Sequence, residues 1–145
     1  MNSFNFWQKW LLITSIFLIT FGFGLAFFNH TGFFNQIFND QINPAFWGHT
    51  QIDGTITHFQ GWIYGVLGAT VAGWGVMMLF LILYPFKARE RWAWSAAAFN
   101  IGLWFVVDTA VSLAYGVLYN AAFNILLLIV FALPLIFTRK YFTGK

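Results

Sequence analysis

The 145-residue chain contains no cysteine and few charged residues of either sign. The absence of cysteine excludes disulfides, thiolate metal sites and cysteine nucleophiles. Charged residues make up 8% of the chain, whereas soluble domains carry roughly 25%. A soluble protein with so few charges could not cover its surface, and 60% of the residues are hydrophobic. The composition therefore indicates a membrane protein, and the length indicates a single domain over residues 1–145.

Four apolar stretches are long enough to cross a bilayer, which takes about 20 residues of helix. They lie at about 10–28, 60–84, 93–115 and 119–138. We predict an all-α membrane protein whose four transmembrane helices form a compact antiparallel bundle. The first stretch follows Lys9, as a cleaved signal peptide would. Its apolar run of about 18 residues exceeds the usual 7–15, so we predict a retained helix.

The basic residues predict the orientation of the chain. All seven Lys and Arg fall near the N-terminus, between the second and third stretches, or at the C-terminus. With four spans these segments share one side of the membrane, and the positive-inside rule makes that side cytoplasmic. We predict cytoplasmic termini, and the Phe-, Ile- and Asn-rich composition suggests a bacterial inner membrane. The net charge of +3 then reflects topology, and we expect no nucleic-acid partner.

The only sizeable loop, residues 29–58, lies on the outer side in this orientation. Its apolar residues recur at near-helical spacing at Phe33, Phe34, Ile37, Phe38 and Ile42. The spacing predicts a short helix lying in the membrane interface. An ordinary re-entrant or capping loop is the alternative, and a lid role is compatible with either.

The second stretch carries small residues at offsets of one helical face. At about 100° per residue they form a seam along which another helix can approach closely. The seam consists of Gly61, Gly65, Gly68, Ala72 and Gly75. We expect it to pack against another helix of this chain; a homo-oligomer or a partner subunit is the alternative.

Asp108 is the one charged residue within the predicted spans, and such residues are functional candidates. Trp104, Ser112 and Tyr115 share its helical face, with Asn100 at the border. The fourth helix runs antiparallel to the third and carries Asn120 and Asn124 one turn apart. His58 and Tyr64 approach from the outer end of the second helix. The predicted ligand-binding set is Asp108, Asn124, Ser112, Tyr115, Asn120, Trp104, His58 and Tyr64.

Two interpretations of this set remain open. In the structural one, hydrogen bonds to Asp108 fix the bundle. In the functional one, the set lines an outward-opening pocket in which Asp108 binds a cationic or hydroxylated group, or passes protons with His58.

No cofactor or metal is expected. A site from His49, Asp53 and His58 matches no specific ligand spacing, and a membrane haem with two histidine ligands would need histidines within the spans. No nucleotide-binding, hydrolase or zinc-protease motif is present.

The leading hypothesis is a small polytopic membrane protein without enzymatic activity. It would bind an apolar or amphiphilic ligand, such as a lipid-like or isoprenoid molecule, or serve as an accessory subunit of a larger membrane complex. One rival is an enzyme on a lipid-like substrate, with Asp108 as acid or base and His58 and Asn124 assisting. Another is a transporter or proton pathway that forms oligomers through the glycine seam.

Overall fold

A computed structural model describes residues 3–143, within which it contains helices and no strand. Four helices are long and apolar enough to cross a membrane. They are α1 (Ser3–Phe28), α2 (Gly54–Leu81), α3 (Arg91–Ala114) and α4 (Leu118–Thr138). The all-helical class and the four apolar spans are thereby confirmed.

Helix α1 begins seven residues before the predicted boundary, because its first turns are buried by aromatic and polar contacts. Phe4 is 2% exposed and stacks on Phe86 with ring centroids 6.0 Å apart. Gln8 donates from Nε2 to the Ile82 carbonyl oxygen at 3.3 Å. The apolar run of the sequence begins after Lys9, whereas these contacts stabilise the preceding turns as helix.

Helix α2 also begins earlier than predicted, at Gly54 rather than near residue 60. The carboxylate of Asp53 accepts a hydrogen bond from the Thr55 backbone N–H at 2.7 Å, which caps the helix. Chiefly because of this bond, the pKa of Asp53 lies below its ordinary value. The non-spanning outer loop is therefore shorter than predicted.

Prolines modify the ends of α2 and α4. Around Pro85, which lacks a backbone N–H, α-helical bonding gives way to a wider π-helical turn over Ile82–Phe86. Pro134 lies inside α4 and cannot donate to the Val130 carbonyl four residues earlier. The indole Nε1 of Trp10 donates to that carbonyl at 2.9 Å instead. The missing backbone bond thus becomes a tie between α1 and α4.

The outer-loop segment, residues 32–47, is helical throughout its length. A short turn (Gly32–Phe34) and a π-helical turn (Asn35–Asn39) lead into a loop helix, Asp40–Trp47. Asn43 anchors the segment: it is 2% exposed and donates from Nδ2 to the Thr50 carbonyl at 2.9 Å. Its Oδ1 accepts from Gln60 Nε2 at 2.8 Å, which ties the loop helix to α2.

Helices α1 and α2 pack more extensively than any other pair, because small residues face each other where they cross. A Cβ atom added to Gly68 would lie 2.4 Å from the Gly22 carbonyl oxygen and 2.6 Å from the Ala26 nitrogen. One added to Gly22 would lie 2.4 Å from the Ala72 nitrogen. The two backbones are therefore in direct contact, and no side chain larger than hydrogen fits between them.

The remaining seam residues have different surroundings. A Cβ on Gly75 would meet Ile19 of α1 at 2.8 Å, and one on Gly61 would meet the His30 ring at 2.6 Å. A Cβ on Gly65 would meet nothing within 4 Å. Four of the five predicted seam positions thus face α1 or the residues that follow it.

Helix α3 packs mainly on α4, and α4 packs on α1. Trp94 of α3 donates from Nε1 to the Leu135 carbonyl at 2.9 Å. Contact between α2 and α3 is sparse and includes the Trp74 and Trp104 rings, 5.7 Å apart. Of the four spans, α3 is the least buried, so much of its apolar surface faces outward.

Candidate functional site

The Asp108 carboxylate is the centre of a polar cluster between α3 and α4. Its Oδ1 accepts from Asn120 Nδ2 at 2.7 Å and from Asn124 Nδ2 at 2.9 Å. Ser112 Oγ lies 3.1 Å from the same Oδ1 and 2.7 Å from the Asp108 carbonyl oxygen, so its single proton is shared between them. Asn124 also donates to Thr109 Oγ1 at 3.3 Å. We name Asp108, Thr109, Ser112, Asn120 and Asn124 the Asp108 cluster.

The tight connection between α3 and α4 brings these residues together. Gly116 adopts a positive φ of 72°, a conformation that favours glycine. The Val117 N–H donates back to the Ser112 carbonyl at 2.8 Å. The chain therefore reverses within three residues, and Asn120 and Asn124 descend beside Ser112 and Asp108.

Both asparagine nitrogens are fully used, which fixes their orientation. Asn124 is 2% exposed, and its two N–H bonds go to Asp108 and Thr109. Asn120 donates to Asp108 and, at 2.8 Å, to Ser112 Oγ. The amide groups therefore present donors to Asp108, as hydrogen-bonded groups around an anion do.

Within residues 3–143, no basic side chain pairs with the Asp108 carboxylate. The nearest basic residue along α3 is Arg91, 17 residues away, or about 25 Å of helix. On the other side, Arg139 lies 15 residues beyond Asn124, or about 22 Å. In the described part of the chain, Asp108 Oδ2 has no hydrogen-bond donor, and it is not among the fully buried unpartnered atoms. One carboxylate oxygen is thus saturated, and the other is left accessible.

The other predicted site residues lie outside the hydrogen-bonded cluster. Trp104 packs on Trp74, and Tyr115 is 64% exposed with its ring 6.2 Å from Phe46 of the loop helix. Tyr64 packs edge-on against Phe34 at 5.0 Å. His58 is exposed and makes no hydrogen bond with the described residues. The structure therefore brings together Asp108, Ser112, Asn120 and Asn124, but not the remaining four.

Aromatic rings of the outer-loop segment pack against both α1 and α4. Phe38 of the outer-loop segment lies 5.9 Å from Phe21 of α1 and 6.1 Å from Phe123 of α4. Phe34 packs against Phe38 at 4.8 Å. These contacts place the segment against α1 and α4, at the ends of the helices opposite the two termini.

A second polar site, which the sequence did not indicate, lies on the α1–α2 side. It is a cavity of about 90 Å³ whose lining includes Asn29, Asn39, Gln60 and Tyr64. Asn35 and Asn39 are four residues apart and share a helical face. That spacing was readable in the sequence, but nothing in the sequence brings Asn29 beside them.

The described residues contain no group of three His, Asp or Glu side chains placed to hold a metal ion. His49 hydrogen-bonds with the Gln51 carbonyl oxygen, while Asp53 caps α2. These geometries serve local structure.

Comparisons of the chain with protein-family models, with curated proteins and with solved structures find no match.

Proposed function

We propose that this protein binds an amphiphilic molecule through Asp108, with the cationic or hydroxylated head group of the ligand on Oδ2. The supporting observation is that the two carboxylate oxygens of Asp108 differ in their hydrogen bonding. Asparagine and serine donors hold Oδ1 in place, while Oδ2 stays free of protein donors. An oriented carboxylate with one open oxygen can receive a hydrogen-bond donor without rearrangement.

The depth of Asp108 suits an amphiphile. It lies seven residues before Tyr115, or about 10 Å along α3 from its outer end. Apolar side chains such as Val107 and Val111 stand exposed beside it. The head group would therefore sit below the interface, and an isoprenoid or acyl chain would run along α3 into the bilayer.

Replacement of Asp108 by Asn tests the proposal with little risk to the fold. All three donors point at one oxygen, so the amide oxygen can take that position and the amide nitrogen can replace Oδ2. The change removes the charge and turns the open acceptor into a donor. We expect the variant to fold and to lose at least about tenfold in ligand retention, the effect of roughly 1.4 kcal/mol.

The measurement is mass spectrometry of small molecules that stay bound after extraction in mild detergent. The matched control is Asp40→Asn, which removes an equal charge from an exposed position on the loop helix. Wild type and Asp40→Asn should carry the same amphiphile near one-to-one. Equal retention by a folded Asp108→Asn variant, or no bound amphiphile in the wild type, would refute the proposal.

We further propose that the four helices form an antiparallel bundle in a bacterial inner membrane, with both termini cytoplasmic and the loop helix in the outer interface. Support comes from the sequence, because residues 29–64 contain no Lys or Arg and every basic residue lies toward the other ends of the helices. The lack of native cysteine makes the test direct. A membrane-impermeant maleimide should label Gln51→Cys in spheroplasts, but Ala88→Cys only after lysis. The reverse pattern would invert the topology.

A second candidate function, an accessory subunit of a membrane complex, is favoured by the uncovered side of α3. Ser95, Ala98 and Gly102 form the floor of a groove of about 480 Å³. Small residues and polar side chains are the groups through which membrane helices associate. A transmembrane helix of another subunit would fit this groove.

Native mass spectrometry of the extracted protein separates the two functions. A stoichiometric protein partner that is lost in Gly102→Leu, and kept in Gly65→Leu, supports the accessory subunit. A partner kept by both variants would place the contact outside this groove, and no partner at all would contradict the accessory subunit and leave lipid as the neighbour of α3. A second copy of the chain in place of a foreign subunit would indicate a homo-oligomer.

A further inference from the structure

The small polar cavity at the outer ends of α1 and α2 contains oxygen atoms that accept no hydrogen bond from any residue the structure describes. Its volume is about 90 Å³, enough for several waters or one small ion with its shell. It lies between the residues following α1, the π-helical turn and the second turn of α2. The lining includes Asn29, His30, Asn39, Thr57, Gln60 and Tyr64.

Asn29 provides the strongest observation. It is 4% exposed, and its Nδ2 lies 2.8 Å from the Leu25 carbonyl, 3.3 Å from that of Ala26 and 3.4 Å from that of Gly61. Three surrounding carbonyls require the nitrogen at this position, so the oxygen must be the other amide atom. Asn29 Oδ1 is buried and has no hydrogen-bond partner.

A second amide oxygen in the same cavity is in the same condition. Asn39 Oδ1 is buried without a partner, while its Nδ2 donates to Asn35 Oδ1 at 2.6 Å. Gln60 uses one of its two Nε2 hydrogens on Asn43, so its second N–H and its oxygen remain. The side-chain atoms of this cavity that are buried without a partner among the described residues are therefore both acceptors, Asn29 Oδ1 and Asn39 Oδ1.

The two unpartnered oxygens can be satisfied by a ligand that carries hydrogen-bond donors or a positive charge. An unmatched buried acceptor costs about 1–3 kcal/mol, so two of them in one cavity favour an occupant. Water or an alcohol could donate to them and in turn accept from donors of the lining, such as the Tyr64 hydroxyl. Alkali ions and ammonium groups require only acceptors. Divalent ions prefer carboxylate ligands, and none lines the cavity.

The charge of this part of the chain favours a cation as well. Residues 29–64 include Asp40 and Asp53 and no Lys or Arg. Carbonyl-type oxygens without formal charge are the groups that coordinate alkali ions in membrane proteins. We propose that this cavity binds a small monovalent cation, an alkali ion or an ammonium group, with the Asn29 and Asn39 amide oxygens as ligands.

Thermal unfolding of the full-length protein in detergent tests the site, with tryptophan fluorescence as the signal. Potassium, sodium and ammonium chloride are each titrated against N-methylglucamine chloride at constant ionic strength. At least one small cation should raise Tm saturably by about 3–6 °C at ten times its Kd. N-methylglucamine is too large for the cavity and should not. Comparison of the three salts distinguishes an alkali ion from an ammonium group.

Two substitutions at Asn39 should act in opposite directions. Asn39→Ala removes one ligand and should raise the half-saturating concentration roughly fivefold or more, whereas Asn39→Asp adds a negative charge and should lower it by a similar factor. Gln41→Ala, on the same segment but outside the cavity lining, is the matched control and should leave it unchanged. Asn39 is only half-buried, so these variants are expected to fold.

The outcomes separate this site from the Asp108 cluster. The cation effect should persist in Asp108→Asn, and its loss there would locate the ion at Asp108 and overturn the proposal. An absence of any saturable shift in the wild type would mean that water alone fills the cavity. Tighter binding in Asn39→Ala, or weaker binding in Asn39→Asp, would also contradict a cation at this place.

Discussion

Substitution of Gly68 by Ala should destabilise the protein, while the same substitution at Gly65, less than one turn away, should stabilise it. At Gly68 the new methyl group would lie 2.4 Å from a carbonyl oxygen and 2.6 Å from a nitrogen of α1. Favourable contacts lie at about 3.5 Å or more, so α1 and α2 must separate locally by about 1 Å. Both clashing atoms belong to the backbone, so no side-chain rotation can relieve the strain.

The magnitude follows from two opposing terms. Replacing glycine by alanine within a helix gains up to about 1 kcal/mol. Overpacking at a rigid contact costs about 1–3 kcal/mol, occasionally more. At Gly65 nothing lies within 4 Å of the added methyl, so only the gain applies. The two variants should therefore differ by about 2 kcal/mol, or about 4–8 °C in Tm for a chain of this size.

The assay is thermal or SDS-induced unfolding in matched micelles, and α1 supplies an independent pair. Gly22→Ala meets the Ala72 nitrogen at 2.4 Å, whereas Gly24→Ala meets nothing within 4 Å. Because Gly22 and Gly68 share one contact, the double variant should lose less stability than the sum of the single losses. Equal Tm values for Gly68→Ala and Gly65→Ala would refute the close approach of the two helices.

Three further predictions concern individual hydrogen bonds. Asn124→Ala removes a buried donor to Asp108 and should lower the free energy of unfolding by about 1–2 kcal/mol, since polar contacts between membrane helices contribute on that scale; chemical denaturation in micelles measures it. Trp10→Phe leaves the Val130 carbonyl without its donor and should lower Tm by a few degrees, with Trp10→Tyr as a second variant. For Asp53, the folded pKa lies below the unfolded one, so its stabilisation is present above the unfolded pKa and disappears as the pH falls through the folded pKa. The difference in Tm between wild type and Asp53→Ala should therefore close below about pH 4, and a constant difference from pH 7 to pH 3 would contradict the cap.

The elements that could be predicted from the sequence are those fixed by local chemistry. Long apolar runs predict helices because a bilayer leaves backbone groups no other partners. The helix ends were harder to predict, since tertiary contacts set them. Helix α1 starts earlier than its apolar run because Phe4 packs on Phe86 and Gln8 bonds to Ile82. Helix α2 starts earlier than its apolar run because Asp53 caps it. Periodicity does not report such contacts.

The Asp108 cluster was only partly predictable for a similar reason. Asp108, Ser112, Asn120 and Asn124 lie on two helices joined by a tight turn, so helical spacing alone is enough to place them together. His58 and Tyr64 lie on a different helix, and their distance from Asp108 depends on how α2 packs. Because α2 packs on α1 and only sparsely on α3, these two residues lie away from the cluster.

The two polar sites differ in what a purely structural role can explain. At Asp108, hydrogen bonds that hold α3 to α4 account for Oδ1 and for both asparagines, and only the open Oδ2 calls for a ligand. In the small polar cavity lined by Asn29 and Asn39, a structural role explains the Asn29 nitrogen, because Nδ2 donates to the carbonyls at the end of α1. It does not account for the buried oxygen on the same amide, since a buried acceptor without a donor is destabilising. A leucine at position 29 would avoid that cost but would leave the carbonyls uncapped and the cavity apolar. The unsatisfied oxygens of Asn29 and Asn39 therefore argue more strongly for an occupant than the charge of Asp108 does.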